Sequence, residues 1–176
     1  ISGTTLGLTV EDGGDELTTN GELQAIDIDG EDGFQSSSDT GQFGDFSIDE
    51  AGNWNYTLNN DLPEIQGLGQ GETRQEVFTV TTIDNQTVDV TIDINGTNDI
   101  PVVGDVSLGT IPEDIPTGIT FTEEQLLSLA SDVDVNDIVS VVSVSLQEGD
   151  TGQLVSLGNG SWTYFPAQDF NGNVIF

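Results

Sequence analysis

Residues 87–94 read Thr-Val-Asp-Val-Thr-Ile-Asp-Ile. Val88, Val90, Ile92 and Ile94 fall on one face, and Thr87, Asp89, Thr91 and Asp93 on the other. That period of two belongs to an antiparallel strand with one face in a core and one in water. Outward from this stretch, short runs of the same kind recur at 4–10, 23–28, 43–48, 53–58 and 76–83. Beyond it they recur at 102–111, 138–146, 153–157 and 161–165. Gly, Asn and Asp clusters separate them, among them DGGD, DGED, DEAGN, IDNQ and EGDTG. Many short strands divided by such turns predict an all-β sandwich or barrel. Helix is minor: Thr122-Glu-Glu-Gln125 ahead of LLSLA predicts a capping box and one short helical turn.

Composition narrows the function classes. The 176 residues carry 32 Asp plus Glu against a single basic residue, Arg74, and no His, for a net charge of −31. Such self-repulsion opposes a compact state unless cations neutralise it. Nothing in the chain can neutralise phosphates, so nucleic acid and anionic membrane surfaces are excluded as partners. Cysteine is absent, so no disulfide or thiol chemistry operates. Without Cys or His, oxygen is the only metal donor left, which points to a hard cation and first to calcium. No apolar run approaches membrane-spanning length, so membrane insertion is not expected.

The chain repeats itself, at an offset near a hundred residues. Glu11-Asp12 recurs as Glu113-Asp114, and TNGE at 19–22 as TEEQ at 122–125. DIDGED at 27–32 recurs as DVDVND at 132–137, TGQ at 40–42 as 151–153, NWNY at 53–56 as SWTY at 161–164, and EVF at 76–78 as VIF at 174–176. Two tandem units follow, 1–99 and 100–176, each an antiparallel sandwich. By this comparison the second is truncated: it stops at its VIF and lacks about one and a half strands. The chain reads as cut from something longer. An incomplete sandwich exposes an inner face and a free edge, which offers itself for strand pairing.

The repeated acids carry the chemistry. In a strand, residues two apart point the same way, so Asp27 with Asp29, and Asp132 with Asp134, are expected to project together while Ile26, Ile28, Val133 and Val135 face the core. Adjacent carboxylates repel unless a cation lies between them. With strands alternating up and down, Glu11, Asp12, Asn98, Asp99, Asp132 and Asp134 are expected to gather at the junction of the units, with Asp61, Glu64 and Glu72 as additions. This predicts an inter-domain calcium cluster. Asp27 and Asp29 would serve a preceding repeat, and Glu113 and Asp114 a following one. Scattered acids such as Asp45, Asp49, Asp89 and Asp93 read as a solvated face. Paired acids also suggest a hydrolase, but these lie at domain ends without His, Cys or a nucleophile motif, so no enzyme is expected. Trp54 with Tyr56, and Trp162 with Tyr164, share a face; core packing explains them better than a sugar platform. An exposed aromatic cluster would support the alternative, an adhesion module that binds carbohydrate or protein.

Residues 52–99, with GNWNYTLNND, GLGQGET, VFTVTTID and VTIDINGTNDIPV, resemble the VCBS repeats of large bacterial surface proteins. The second unit, with PEDIPTGITFTEEQLLSLASDVDVND and GNGSWTYFPAQDFNG, resembles the bacterial cadherin-like repeat that often neighbours them. Both are similar to cadherins, whose linker Asn-Asp and D-x-D bind calcium between domains. The resemblance implies Ig/cadherin-like sandwiches that act as calcium-rigidified extender modules of a bacterial cell-surface adhesin, of the RTX type involved in biofilms, exported by type I secretion. Their partners would be neighbouring repeats of the same chain. The sequence departs from the pattern in carrying no glycine-rich RTX nonapeptide, and in having TIDNQ where relatives have Asp-Gly.

Overall fold

The computed structural model describes residues 1–28, 30–112 and 117–176. The chain is all-β with an Ig/cadherin-like architecture, in two compact units. Unit 1 comprises Ile1–Asp99 together with Val133–Asn136; unit 2 comprises Ile100–Asp132 and Asp137–Phe176.

Unit 1 is a sandwich. Its first sheet holds β1 (Ser2–Gly3), β3 (Thr18–Gln24), β6 (Asn53–Leu58), β5 (Gly44–Ile48) and β4 (Ser37–Thr40), in the order β1-β3-β6-β5-β4. Its second holds β2 (Leu6–Val10), β8 (Thr87–Asn95) and β7 (Thr73–Thr81), in the order β2-β8-β7. A 3-10 turn, Gly14–Leu17, leads into β3, and a short helix, α1 (Pro63–Gln66), precedes β7. The alternation at 87–94 buries Val90, Ile92 and Ile94 completely. They meet Trp54, Tyr56, Phe46, Phe78, Leu23 and Ile65 in one cluster. Phe46 stacks on Phe78 at 4.7 Å between ring centroids.

The pairing departs from a purely antiparallel sandwich in one place. β2 runs parallel to β8, Leu6 beside Thr91 through Val10 beside Asn95, and β8 is the strand it pairs with. β2 thus makes an edge at the same end of the unit as the exit of β8, so Glu11 follows one strand where Gly96 follows the other.

Unit 2 repeats the arrangement in part. β10 (Ile119–Thr122), β13 (Ser161–Phe165) and β12 (Gln153–Ser156) form a sheet in the order β10-β13-β12, as β3-β6-β5 do in unit 1. β9 (Val102–Val103) pairs with β11 (Ala130–Ser131). The helical turn is present as α2 (Glu123–Leu126). Thr122 caps it, and Gln125 completes the capping box.

Four expectations need correction. β3 ends at Gln24, and Ile26 and Ile28 lie outside it, 76% and 99% exposed, rather than in the core. Val133 and Val135 are likewise exposed, and it is Asp134 that points inward. The runs 102–111 and 138–146 carry no strand beyond β9, because a strand exists only where a partner edge accepts its backbone. Finally, the repeat register near its start is three residues off. Gly21 lies opposite Trp54, and Phe121 opposite Trp162, so the counterpart of 19–22 is 119–122, not 122–125.

Candidate metal centre

Glu11 follows β2 directly, and its N–H donates to the Asn95 carbonyl at 2.9 Å, extending the parallel ladder by one rung. That rung drives the side chain inward, and Glu11 is fully buried. Its carboxylate accepts from Thr97 N–H at 3.3 Å and from Gln66 Nε2 at 3.4 Å. Thr97 Oγ1 donates back to the Glu11 carbonyl at 3.4 Å. The linker after β8 is thereby fastened to the end of β2.

Asp12 turns away from the strand with φ of 53°, a left-handed backbone that Asp tolerates better than most residues. Its N–H donates to Asn60 Oδ1 at 3.1 Å, and its carboxylate accepts from Asn60 Nδ2 and from Gln66 Nε2 at 3.0 Å. Gln66, at the end of α1, thus bridges Glu11 and Asp12.

The segment Val133–Asn136 completes this end of unit 1. Asp99 N–H donates to Asp134 Oδ2 at 2.8 Å, and Val135 N–H to the Gly67 carbonyl at 3.2 Å. Gly67 is needed there: a Cβ would come within 2.7 Å of a Val135 methyl. Asn136 donates to Glu72 Oε1, whose other oxygen accepts from Gly69 N–H at 3.2 Å. Asp134 is 2% exposed.

Glu11 therefore shares its surroundings with Asp12, Asp99 and Asp134. Burial, with the charges of those three outweighing the Thr97 hydrogen bond, pushes its carboxyl up to about 7 from 4.5. No basic side chain answers these charges. Arg74, the chain's single basic residue, is exposed and donates to the Thr73 carbonyl. One further donor lies inside: Thr9 Oγ1 is buried without a hydrogen-bond partner, two residues before Glu11 on the same side of β2. The donor set is carboxylate, amide and hydroxyl oxygen, which suits a hard cation. Among the described residues, no group of three or more acids already stands as a ready-made ion cage. A bound ion would have to draw them together.

The other predicted site residues fall as follows. Asn98 is exposed, and its side-chain amide donates to the Asp99 carbonyl. Asp132 belongs to unit 2. Asp27 lies in the loop after β3, where its N–H is held by Asp32 Oδ1 at 2.6 Å. Asp29, Glu113 and Asp114 lie outside the described residues. Of the three additions, Glu72 is tied to Asn136 as described, whereas Asp61 and Glu64 are exposed and make no hydrogen bond to the cluster. Sequence reasoning missed Gln66, Asn60 and Thr97, the neutral side chains that hold the acids in place. No pattern marks them, because they sit in two connections far apart in sequence, Asn60 and Gln66 between β6 and β7 and Thr97 after β8.

A second buried acid has a different role. Glu76, on β7, accepts from Tyr56 Oη at 2.7 Å, from Phe43 N–H at 2.9 Å and from Gln42 N–H. Burial and this carboxylate push the Tyr56 hydroxyl well above its ordinary range, so it remains a donor. Glu76 is a satisfied structural group. Trp54 is buried, with its indole N–H on the Thr4 carbonyl at 2.8 Å, and Trp162 stacks on Phe121 with centroids 6.0 Å apart. Trp54 and Tyr56 are core, and no sugar platform forms from them.

Residues 97–176 match the cadherin-like domain family. The match starts in the linker that fastens Glu11 and runs through the whole of unit 2. Cadherin-like domains are structural and adhesive rather than enzymatic. The comparison with curated proteins finds no match. No helix among the described residues is long and apolar enough to cross a membrane.

Proposed function

We propose that this chain is a calcium-binding structural extender module of a bacterial cell-surface adhesin. The observation that carries the reading is the fully buried Glu11 facing Asp12, Asp99 and Asp134 with no basic residue to balance them. Calcium would supply the missing positive charge. Glu11, Asp12, Asp99 and Asp134 would hold it, with Thr9 Oγ1 as a neutral donor. Asn98 and Asp132 would join from the flanking chain. Asp27 and Asp29, and Glu113 and Asp114, would serve junctions with neighbouring repeats.

The chain's own residues provide the mechanical link. Thr97 and Asp99 tie the linker to β2 and to the 133–136 segment, so whatever stabilises the acids also fixes the linker. Without a cation, repulsion loosens these contacts and the linker becomes mobile. An array of such modules would then act as a rod when calcium is present and a looser string when it is not. The VCBS-like character of residues 1–99, the RTX-type parent and type I secretion belong to this same proposal.

Thermal unfolding in chelator, followed by calcium, magnesium or sodium chloride at matched ionic strength, tests it. Millimolar calcium should raise the Tm well beyond the other two. At a hundred times the dissociation constant, one site adds about 2.7 kcal/mol. Equal shifts with all three salts would mean screening alone and would remove calcium from the mechanism.

A further inference from the structure

Asn is followed by Gly at Asn20–Gly21, Asn95–Gly96, Asn159–Gly160 and Asn171–Gly172. The first three sit in or beside a strand ladder, and the fourth lies in irregular chain. The pair matters chemically because glycine has no side chain to shield its own backbone nitrogen, which can then reach the side-chain amide carbon of the Asn before it. The reaction needs a Gly N–H free of other bonds and a backbone able to leave its resting conformation. Two of the three ladder-associated pairs meet neither condition. Leu23 N–H donates to the Gly52 carbonyl at 2.9 Å, and Gly21 stands opposite Trp54 in the same register. Backbone groups alternate sides along a strand, so the Gly21 N–H joins that ladder to β6. Gly96 N–H donates to the Glu72 carbonyl at 2.9 Å, and the Asn95 carbonyl accepts from Glu11 N–H at 2.9 Å.

Asn159–Gly160 is built differently. It lies in the turn between β12 and β13, which Leu157 N–H closes on the Ser161 carbonyl at 2.9 Å. Asn159 is exposed and stands between Gly158, with φ of 78°, and Gly160, with φ of 70°. A glycine on each side lets this turn change conformation at little steric cost. Among the described residues, neither the Gly160 N–H nor the Asn159 side chain makes a hydrogen bond. The turn between β5 and β6 in unit 1 is pinned instead: Asn53 N–H and Nδ2 each donate to the Asp49 carboxylate at 2.8 Å.

We propose that Asn159 is a modification site, at which the turn between β12 and β13 deamidates without an enzyme. The Gly160 nitrogen loses its proton to hydroxide and attacks the Asn159 side-chain carbon. A bond forms between them, the bond from that carbon to Nδ2 breaks, and Nδ2 leaves as ammonia. Water then opens the cyclic imide at either carbonyl, giving aspartate or isoaspartate. The balance is water in and ammonia out, with no oxidant or reductant. Either product adds a carboxylate near Glu123, whose N–H donates to the Gly160 carbonyl at 2.8 Å and whose carboxylate a Cβ on Gly160 would approach to 3.2 Å. Isoaspartate also routes the main chain through the former side chain. The added methylene falls between Leu157 and Ser161, so the rung that closes the turn must lengthen or break. The change is irreversible and accumulates with the age of the chain.

The test incubates the whole 176-residue chain from mildly acid to mildly alkaline pH and maps its peptides by mass spectrometry, separating aspartate from isoaspartate. A free peptide of the Ser156–Trp162 sequence sets the unrestrained rate. Asn159 should convert within about tenfold of that peptide, and Asn20 and Asn95 at least ~100-fold more slowly than it, because their ladders must open first. The Asn159 rate should rise with pH, since the attacking nitrogen must lose its proton. Calorimetry of the aged chain should show the unit 2 transition lowered and that of unit 1 unchanged, whereas N159S should age without this loss. An Asn159 as durable as Asn20 and Asn95, or a rate that does not rise with pH, would overturn the proposal. Loss of the unit 2 transition at the same pace in N159S would overturn the assigned consequence.

Discussion

Glu11 concentrates the chemistry of this molecule in one side chain. Its folded-state carboxyl is raised to about 7, above the ordinary value of 4.5 that it regains on unfolding. A raised carboxyl favours the protonated folded form. In metal-free protein the resulting stability is therefore fully present below about pH 4.5 and lost as pH rises through about 7. Chelator-treated protein should accordingly show a falling Tm for unit 1 between these limits, measured by calorimetry across the pH range. E11Q removes the charge and keeps an oxygen donor. In chelator at pH 8 it should stabilise unit 1 by about 2 kcal/mol, the linkage energy of the shift discounted for solvent screening. It should also flatten the pH dependence and shrink the calcium response. If E11Q destabilises in chelator and leaves the calcium response whole, Glu11 is neither strained by its neighbours nor a ligand. D134N tests the same cluster from the other side and should halve the calcium response or more without changing the fold of unit 2.

At the level of elements, the W-x-Y strands β6 and β13 organise both units. Each is the centre of a three-strand set, and each Tyr meets the Phe of the EVF or VIF segment. The residue facing the Trp differs. Gly21 leaves room for the Trp54 indole, where a Cβ would come within 2.5 Å of the ring, whereas unit 2 has Phe121 stacked on Trp162. G21A should therefore cost about 1–3 kcal/mol by overpacking, read as a drop in the unit 1 transition. No loss on G21A would show that β3 can shift away from β6. The helical turn α2 depends on its cap, and T122A should lower the stability of unit 2 by about 1 kcal/mol. A denaturant titration followed at Trp162 would report it.

For the whole molecule, apolar burial is unequal. The large core cluster lies entirely in unit 1, whereas among the described residues of unit 2 only Phe121 and Tyr164 are buried hydrophobics. Ile138 and Val142 of unit 2 are more than nine-tenths exposed. Since burial of apolar surface supplies most of the folding free energy, calorimetry should resolve two transitions, with unit 2 melting first. A single cooperative transition would mean that unit 2 draws its stability from unit 1.

The sequence by itself determined the β class, the internal repeat, the strands with clean alternation, the short capped turn at 122–126 and the oxygen-only chemistry of any metal site. These follow from local periodicity, from composition and from comparison of the chain with itself. Tertiary structure decided the rest. The Asp134 carboxylate turned inward and its flanking valines outward, because Asp99 N–H and the neighbouring acids, distant in sequence, define which side is inside. Gln66, Asn60 and Thr97 became part of the site because the β6–β7 connection and the linker after β8 meet at the end of β2. The runs at 102–111 and 138–146 have strand composition yet are largely unpaired, because a ladder needs a second edge, and a sequence can supply the residues of a strand without supplying its neighbour.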